Sequence, residues 1–148
     1  MPRITPAHPR DLAAVRALLA AAGLPVDDLD SSPVDLLVAV DGGRVIGVAG
    51  LQVHGDAGLL RSLAVAQSHR GTGLGRALAR AIEEQARQRS LRQLVLLTQT
   101  AVPFFASDGY RQIPREDAPA AIRHTAEFAS LCPASATCMA KALSPDRP

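Results

Sequence analysis

The feature of this sequence that most constrains its fold is the stretch from Gly58 to Ser90, in which three kinds of segment follow one another directly. Leu59–Val65 is largely apolar and rich in branched residues, which predicts a buried strand. A polar loop with three glycines at alternate positions comes next. Apolar residues then recur every fourth position, which predicts a helix from Arg76 to Ser90. The stretch is therefore a strand, a glycine loop and a helix in succession.

A loop between a strand and a helix is suited to binding an anion. The first amides of a helix have no carbonyl partner within it, and they lie at the positive end of the helix dipole. Gly71, Gly73 and Gly75 let a phosphate approach the backbone because they carry no Cβ. Arg70 and Arg76 add positive charge at the two edges of the loop. The sequence therefore predicts a phosphate site in this loop.

The spacing of the glycines excludes two common phosphate motifs. A nucleotide P-loop needs Lys and then Ser or Thr after its last glycine, whereas Arg76 follows Gly75 here. A dinucleotide fingerprint needs GxGxxG, whereas these glycines form GxGxG. The pattern that is met is Arg/Gln-x-x-Gly-x-Gly, through Arg70, Gly73 and Gly75. This pattern, with its strand and helix, resembles the coenzyme A signature of the GNAT family of N-acetyltransferases.

The resemblance implies a fold and a co-substrate. The fold is α/β, the GNAT acyl-CoA N-acyltransferase fold, with a mixed, mostly antiparallel central sheet flanked by helices, and residues 1–148 form one such domain. Acetyl-CoA would bind between the strands that end near Val65 and Leu97, with its pyrophosphate on the loop amides and its pantetheine arm on the first strand. The residues implied in binding it are Leu63, Ala64, Val65, Arg70, Gly71, Thr72, Gly73, Leu74, Gly75 and Arg76.

Composition limits the alternatives. A chain of 148 residues is long enough for one domain with a core, and with 47% hydrophobic but 3% aromatic residues that core should consist of Ala, Leu and Val. The net charge of +2 and the lack of interleaved basic and aromatic residues argue against a nucleic-acid partner. No apolar run is long enough to cross a membrane, and Met1–Arg3 does not begin a signal peptide. We expect a cytoplasmic protein, and the family resemblance adds a homodimer as an expectation.

The segments before the central stretch alternate between helical and strand patterns. Pro9–Ala22 carries apolar residues at helical spacing and predicts an amphipathic helix. Leu36–Val40 and Arg44–Val53 flank a Gly-Gly turn and predict a hairpin. After the central stretch, Gln93–Leu97 is a continuous apolar run, which suits a parallel neighbour of the Leu59–Val65 strand.

The last third of the chain predicts shorter elements. A short helix is expected around Pro103–Ala106, and a strand should begin at Tyr110. The insertion Pro114–Ser135 is expected to contain a helix at Ala120–Phe128. A final strand should follow at Ala136–Leu143.

The segment after Leu97 resembles a second family motif, Asn-x-x-Ala-x-x-Phe-Tyr followed by Gly-Phe. Ala101, Phe104 and Gly109 match it, but three positions depart from it: Thr98 stands where the family usually has Asn, Phe105 where it has Tyr, and Tyr110 where it has Phe. The tyrosine that often serves the family as the general acid is therefore absent from its usual position.

The catalytic acid and base consequently stay open. Tyr110 or Ser107 could protonate the leaving thiol, or the thiol could leave as thiolate or with help from water. A base could be a chain of waters or one of four side chains, His54, His69, His124 and Glu127. Direct transfer to an amine needs no covalent enzyme intermediate, so no nucleophilic cysteine is expected.

Arg61 interrupts the apolar central strand and is the candidate for substrate recognition. A buried arginine is costly without an anionic partner, which would be either a substrate carboxylate or phosphinate or an internal Asp or Glu. Ser62 is a second candidate, but in a regular strand it would point to the opposite face, so both could line one pocket only at a bulge. The acidic segment from Asp27 to Asp35 favours a cationic acceptor instead.

The Leu60–Leu63 stretch and the tail after Phe128 resemble the GNAT subgroup linked to arsenic-resistance gene clusters. That resemblance implies an amino acid or amino-acid-like toxin as acceptor. The alternatives are a cationic amine, such as a polyamine, an aminoglycoside or a protein N-terminus, and a domain that senses acetyl-CoA without catalysis. Cys132 and Cys138 could hold arsenite, but a third thiol is lacking, so no metal site is predicted.

Overall fold

A computed structural model describes residues 2–24, 26, 34–125, 128 and 135–143. Within these residues the chain forms seven strands, four α-helices and three short 3-10 turns. The strands are β1 (Arg3–Pro6), β2 (Asp35–Asp41), β3 (Arg44–His54), β4 (Ala57–Val65), β5 (Gln93–Thr98), β6 (Arg111–Gln112) and β7 (Thr137–Ala142). The helices are α1 (Leu12–Ala21), α2 (Leu74–Gln88), α3 (Val102–Ser107) and α4 (Ala120–Arg123). The 3-10 turns are Pro9–Asp11, Gln67–His69 and Arg115–Asp117.

The strands of the described residues are hydrogen-bonded in the order β1-β2-β3-β4-β5-β7-β6. The pairs β1-β2, β2-β3, β5-β7 and β6-β7 are antiparallel, and β4-β5 is parallel. The prediction of an α/β fold with a mixed, mostly antiparallel sheet is therefore confirmed. None of the helices formed by the described residues has the length and apolar character needed to cross a membrane.

The chain forms two compact units. The first unit is Met1–Gln52 with Leu60–Glu84, and the second is Val53–Leu59 with Gln85–Pro148. In the first unit, α1 packs on the sheet through a cluster of buried apolar side chains. Its members are Val15, Leu19, Val38, Val48 and Ala64.

The helix α2 packs closely on β3 within the first unit. A Cβ placed on Gly47 would lie 2.9 Å from Leu78 Cδ1, so glycine permits this approach. The helix begins at Leu74, two residues before the predicted Arg76, because the amide of Ala77 already donates to Gly73 O at 3.0 Å. The end of the glycine motif is thus part of the helix, and the boundary predicted from apolar spacing was wrong there.

The second unit has its own core around β5 and β7, which pair over their full length from Gln93↔Ala142 to Thr98↔Thr137. Eight buried residues form this core: Ala57, Leu59, Val95, Ala118, Ile122, Phe128, Cys138 and Ala140. The parallel ladder between β4 and β5 spans Ala57–Leu59 and Gln93–Val95. The predicted parallel pairing is therefore confirmed, but it is short.

Several shorter elements also differ from their predictions. The strand β1 was not predicted, because four residues that end in a proline carry little strand signal. The helix α4 ends at Arg123, well before Phe128, and Thr125 Oγ1 donates to Ile122 O at 2.7 Å, a side-chain contact that competes with helix continuation. The strand β6 is also short, with two residues.

Candidate functional site

The turn between β4 and α2 is built by backbone hydrogen bonds. The amide of Ala66 donates to Ile46 O at 2.8 Å, which ties the end of β4 to β3. A 3-10 turn follows, in which the amides of His69 and Arg70 donate to Ala66 O and Gln67 O. The strand therefore ends in a defined turn that leads directly into the glycine loop.

Gly71 and Gly73 hold left-handed backbone conformations, with φ of 78° and 86°. A Cβ at either position would meet nothing within 4 Å, so space next to this backbone is open. Thr72, between them, donates its hydroxyl to His69 O at 2.6 Å. Glycine is required at both positions because other residues rarely adopt these dihedral angles. The absence of a Cβ at both positions also leaves the loop backbone accessible.

The end of this loop meets the requirements of a phosphate site. The first helical hydrogen bond runs from the Ala77 amide to Gly73 O, so the amides of Leu74–Arg76 precede it and belong to the anion-binding end of α2. Arg70 is exposed, and its Nε donates to Val65 O at 3.3 Å. The amides at the start of α2, the open space beside the loop and the positive charge of Arg70 together suit the binding of a pyrophosphate group.

Three side chains form a hydrogen-bonded series at the base of the loop. Ser68 Oγ lies 2.9 Å from His69 Nδ1, and His69 Nε2 lies 3.3 Å from Asp41 Oδ2. Asp41 is the last residue of β2, far from the loop in sequence. Sequence reasoning missed this contact because nothing in the local pattern links a hairpin aspartate to a loop histidine.

Arg61 and Ser62 on β4 are both buried, at 3% and 7% exposure. Ser62 has a φ of 60°, so the strand is irregular at this residue and the alternation of faces is broken. Arg61 Nε donates to Ser62 Oγ at 3.1 Å. A regular strand, the condition under which these side chains would point to opposite faces, is therefore not present here, and the irregularity brings the two side chains into contact.

The residues predicted to bind the pantetheine arm lie at the far end of β4. The ladder with β5 covers Ala57–Leu59, whereas β4 continues to Val65. Leu63–Val65 thus lies beyond that ladder and immediately before the turn into the glycine loop.

The candidate acids lie at the end of α3 in the second unit. Tyr110 is 3% exposed, and its ring packs edge-on against Phe105 with centroids 5.4 Å apart. Lys141 Nζ lies 5.4 Å from the centre of the Tyr110 ring and donates to Asp108 O at 2.9 Å. Ser107 is exposed, and its hydroxyl donates to Phe104 O at 2.8 Å.

The candidate bases differ in their surroundings. Burial lowers the pKa of His54, whose Nε2 atom is buried without a hydrogen-bond partner. His69 is engaged at both ring nitrogens, by Ser68 and Asp41. His124 is exposed. Glu127 lies outside the described residues.

The remaining sequence candidates are the cysteines and the acidic segment. Cys138 is buried, and burial raises the pKa of its thiol to about 11 against the opposing charge of Arg115. Cys132 and residues 27–33 of the acidic segment lie outside the described residues. Asp35 begins β2.

The family of this chain follows from comparison with known proteins. The sequence profile described as "Acetyltransferase (GNAT) family" matches residues 9–110. That range contains the glycine loop, Arg61 and Tyr110, and it covers more than half of the chain, so the protein belongs to the GNAT family of acetyltransferases. The predicted resemblance to this family is thereby confirmed.

One curated relative and two solved structures illustrate the similarity. The uncharacterized N-acetyltransferase YjcF of Bacillus subtilis (strain 168) is 31% identical over 93 residues, which cover 62% of this chain and 66% of YjcF. N-acetylglutamate synthase from Neisseria gonorrhoeae, complexed with coenzyme A and N-acetyl-glutamate, superposes with a TM-score of 0.83 at 21% identity, over 97% of this chain and 35% of the synthase. Rv2747 from Mycobacterium tuberculosis was solved in a complex that contains CoA. It superposes with a TM-score of 0.81 at 24% identity, over 97% of this chain and 100% of Rv2747. These likenesses confirm the predicted fold.

Proposed function

We propose that this protein transfers an acetyl group from acetyl-CoA to the amino group of a small acidic molecule, an amino acid or an amino-acid-like toxin. The observation that carries the proposal is the glycine loop, with Gly71 and Gly73 in left-handed conformations and open space beside them. Acetyl-CoA supplies the activated acyl group, a thioester. The chain supplies the binding, the orientation and the proton transfers described next.

In this proposal, the loop binds the pyrophosphate through the amides at the start of α2 and through the charge of Arg70 and Arg76. The residues Leu63–Val65 bind the pantetheine arm through the β4 backbone, since they lie beyond the ladder with β5. Holding the acetyl donor in one orientation next to an amine lowers the entropic part of the barrier. An amide of the same strand is the candidate donor to the developing oxyanion.

Arg61 is the proposed partner of an acidic group on the acceptor. Its guanidinium is buried, and its planar fork of donors matches a substrate carboxylate or phosphinate in a bidentate geometry. Ser62 orients it, because the hydrogen bond to Arg61 Nε fixes the plane of the guanidinium. The Neisseria synthase was solved with N-acetyl-glutamate, an acetylated acidic amino acid, which supports this class of acceptor.

Tyr110 is the proposed general acid for the leaving thiol, and Ser107 is the weaker candidate. The Ser107 hydroxyl already donates to Phe104 O at 2.8 Å, so proton donation would require it to leave that carbonyl. Phe105, in the family's usual acid position, has no proton to give. The assignment to the arsenic-resistance subgroup remains part of this proposal and rests on the sequence of the Leu60–Leu63 stretch and of the tail after Phe128.

The second candidate function is an acetyl-CoA sensor without catalysis. The observation that favours it is Phe105, which is buried against the rings of Phe104 and Tyr110. A packed aromatic cluster at this position stabilises the protein whether or not a reaction takes place. A cationic acceptor is a further alternative, since the acidic segment would attract a polyamine or an aminoglycoside.

The experiment that separates these functions is an acetylation assay with a panel of amines, read by the mass of the product. The panel holds the amino acids, a phosphinate-bearing and an arsenic-bearing amino acid, a polyamine, an aminoglycoside and a peptide with a free N-terminus. Turnover of acidic amino compounds is the expected result. Binding of acetyl-CoA by calorimetry without any product would support the sensor, and turnover confined to the cations would overturn the role of Arg61.

A further inference from the structure

The hydrogen-bonded series of Ser68, His69 and Asp41 has no role in the function proposed above. Its first two members nevertheless lie directly before the glycine loop in the chain. His69 Nε2 is 3.3 Å from Asp41 Oδ2, with the two side chains 26% and 39% exposed. All three residues belong to the first unit. Asp41 stands at the end of β2, next to the Gly42-Gly43 turn. The contact therefore connects the β2–β3 hairpin to the turn that carries the loop.

The direction of the hydrogen bonds follows from the chemistry of the three groups. A carboxylate only accepts, so the Nε2 of His69 must donate to Asp41. In a neutral imidazole the other nitrogen, Nδ1, is then an acceptor, and the Ser68 hydroxyl donates to it. Asp41 thus fixes both the ring orientation and the tautomer of His69.

Hydrogen bonds of the His69 backbone connect this histidine to the loop that contains the two glycines. Its amide donates to Ala66 O at 2.9 Å, and its carbonyl accepts the Thr72 hydroxyl at 2.6 Å. Thr72 lies between Gly71 and Gly73, whose left-handed conformations give the loop its shape. A glycine loop without such contacts would have many conformations to lose when it binds an anion.

We propose that Asp41 is a positioning residue for the coenzyme loop and acts on it through His69. By holding His69, it orders the loop before the pyrophosphate arrives, which reduces the entropic cost of binding. The inference rests on the proposed role of the loop in binding coenzyme A. It predicts an effect on the affinity for coenzyme A and on the Michaelis constant for acetyl-CoA, but not on kcat.

The test uses Asp41→Ala and His69→Ala in the full-length protein, with the dissociation constant of CoA measured by calorimetry. Loss of one part-buried charged hydrogen bond should weaken CoA binding about three- to tenfold in either variant. The double variant should be no weaker than either single one, because both remove the same contact. Asp41→Asn, whose amide oxygen can still accept from Nε2, should recover most of the affinity. The kcat of Asp41→Ala with an amine that the wild type acetylates should stay within twofold.

Asp56→Ala is the matched control, since Asp56 lies at the other hairpin turn, between β3 and β4, with its side chain 71% exposed. Its CoA affinity should equal that of the wild type. A change of less than twofold in both Asp41→Ala and His69→Ala would overturn the proposal, and so would an equal loss in Asp56→Ala.

A second measurement does not depend on the proposed function. Arg70-Gly71 is an exposed trypsin site within the loop. If Asp41 orders the loop in the free protein, cleavage after Arg70 should be several times faster in Asp41→Ala and His69→Ala than in Asp56→Ala. Should the wild type fail to bind CoA, the proposed function is lost, and equal cleavage rates in all variants would then overturn the ordering role separately.

Discussion

The glycine loop at Arg70–Arg76 and the aromatic segment at Phe104–Tyr110 differ in which atoms carry the proposed chemistry. The loop is largely exposed, and its chemistry belongs to backbone amides shaped by Gly71 and Gly73. In the aromatic segment, Phe105 and Tyr110 are buried against each other, and its chemistry would belong to one hydroxyl. A backbone site needs only the residues that permit its conformation, whereas a side-chain site is lost with one substitution.

The two regions also differ in how closely they follow the motifs of the family. The loop matches its family motif at every position that shapes the backbone, so binding of coenzyme A is expected to persist. The aromatic segment departs from its motif at Tyr110 and at Phe105, and the second is the position where a proton donor usually stands. Four predictions, in decreasing order of expected effect, test this difference.

The largest effect is expected from Gly73→Asp. The substitution places a carboxylate beside the amides that would hold a phosphate, and like charges in contact cost several kcal/mol, so CoA binding should fall about a thousandfold. The control is Gly73→Ala, which adds only left-handed strain of about 1–2 kcal/mol at a φ of 86° and meets open space. Calorimetry with CoA measures both variants. Unchanged affinity in Gly73→Asp would remove the loop assignment.

The second prediction concerns Tyr110→Phe, which keeps the ring contacts and removes the hydroxyl. If Tyr110 is the general acid, kcat should fall about a hundredfold while the affinity for CoA and the melting temperature stay near those of the wild type. Ser107→Ala is the matched removal of a hydroxyl in the same segment, and it should lower kcat less than Tyr110→Phe does. A kcat within twofold of wild type in Tyr110→Phe would show that water or the thiolate itself completes the reaction.

The third prediction tests the acceptor side with Arg61→Met, which retains an unbranched apolar side chain but no charge. A lost charged hydrogen bond should raise the Michaelis constant for an acidic acceptor about thirtyfold and leave CoA binding unchanged. The Michaelis constant of Arg61→Lys for the acidic acceptor should lie between those of the wild type and Arg61→Met, since lysine keeps the charge and loses the bidentate geometry. If Arg61→Met binds acidic and neutral acceptors as the wild type does, Arg61 has a structural role instead.

The smallest effect concerns Cys138, in the core of the second unit. Its pKa of about 11 exceeds its ordinary value of 9.0 because burial disfavours the thiolate. The folded state therefore holds the proton longer than the unfolded state does. The resulting stability is present in full below pH 9 and is lost as the pH rises through 11, with a loss of about 2 kcal/mol by pH 11.

Urea unfolding of the wild type and of Cys138→Ala across this pH range would measure the difference. The alanine variant should lose less stability between pH 9 and pH 11, because it has no thiol to ionise. The Cys138 thiol should also resist alkylation at pH 8 in the folded protein. Rapid alkylation would contradict the burial on which the prediction rests.

The parts of the molecule that the sequence predicted correctly are those specified by neighbouring residues. The strand, loop and helix around Gly71–Gly75 are contiguous, so their order could be seen directly, and the Gly42-Gly43 hairpin is equally local. The glycine conformations inside that loop agree with the role expected from the motif.

The features that sequence reasoning missed depend on distant residues. The contact between Asp41 and His69 joins positions 28 residues apart, and no local sequence pattern predicts it. The irregular backbone at Ser62 could not be predicted either, because serine does not require a left-handed conformation and only the surrounding sheet imposes it. The strand β1 was missed for a related reason, since its pairing with β2 defines it more than its own four residues do.

The left-handed conformation of Ser62 has an evolutionary consequence. A glycine at this position would relieve strain of about 1–3 kcal/mol, so stability alone favours replacing the serine. The same replacement would remove the hydroxyl that holds Arg61 Nε at 3.1 Å and would free the guanidinium to rotate. If Arg61 binds the acceptor as proposed, selection for stability and selection for acceptor binding would therefore favour different residues at position 62.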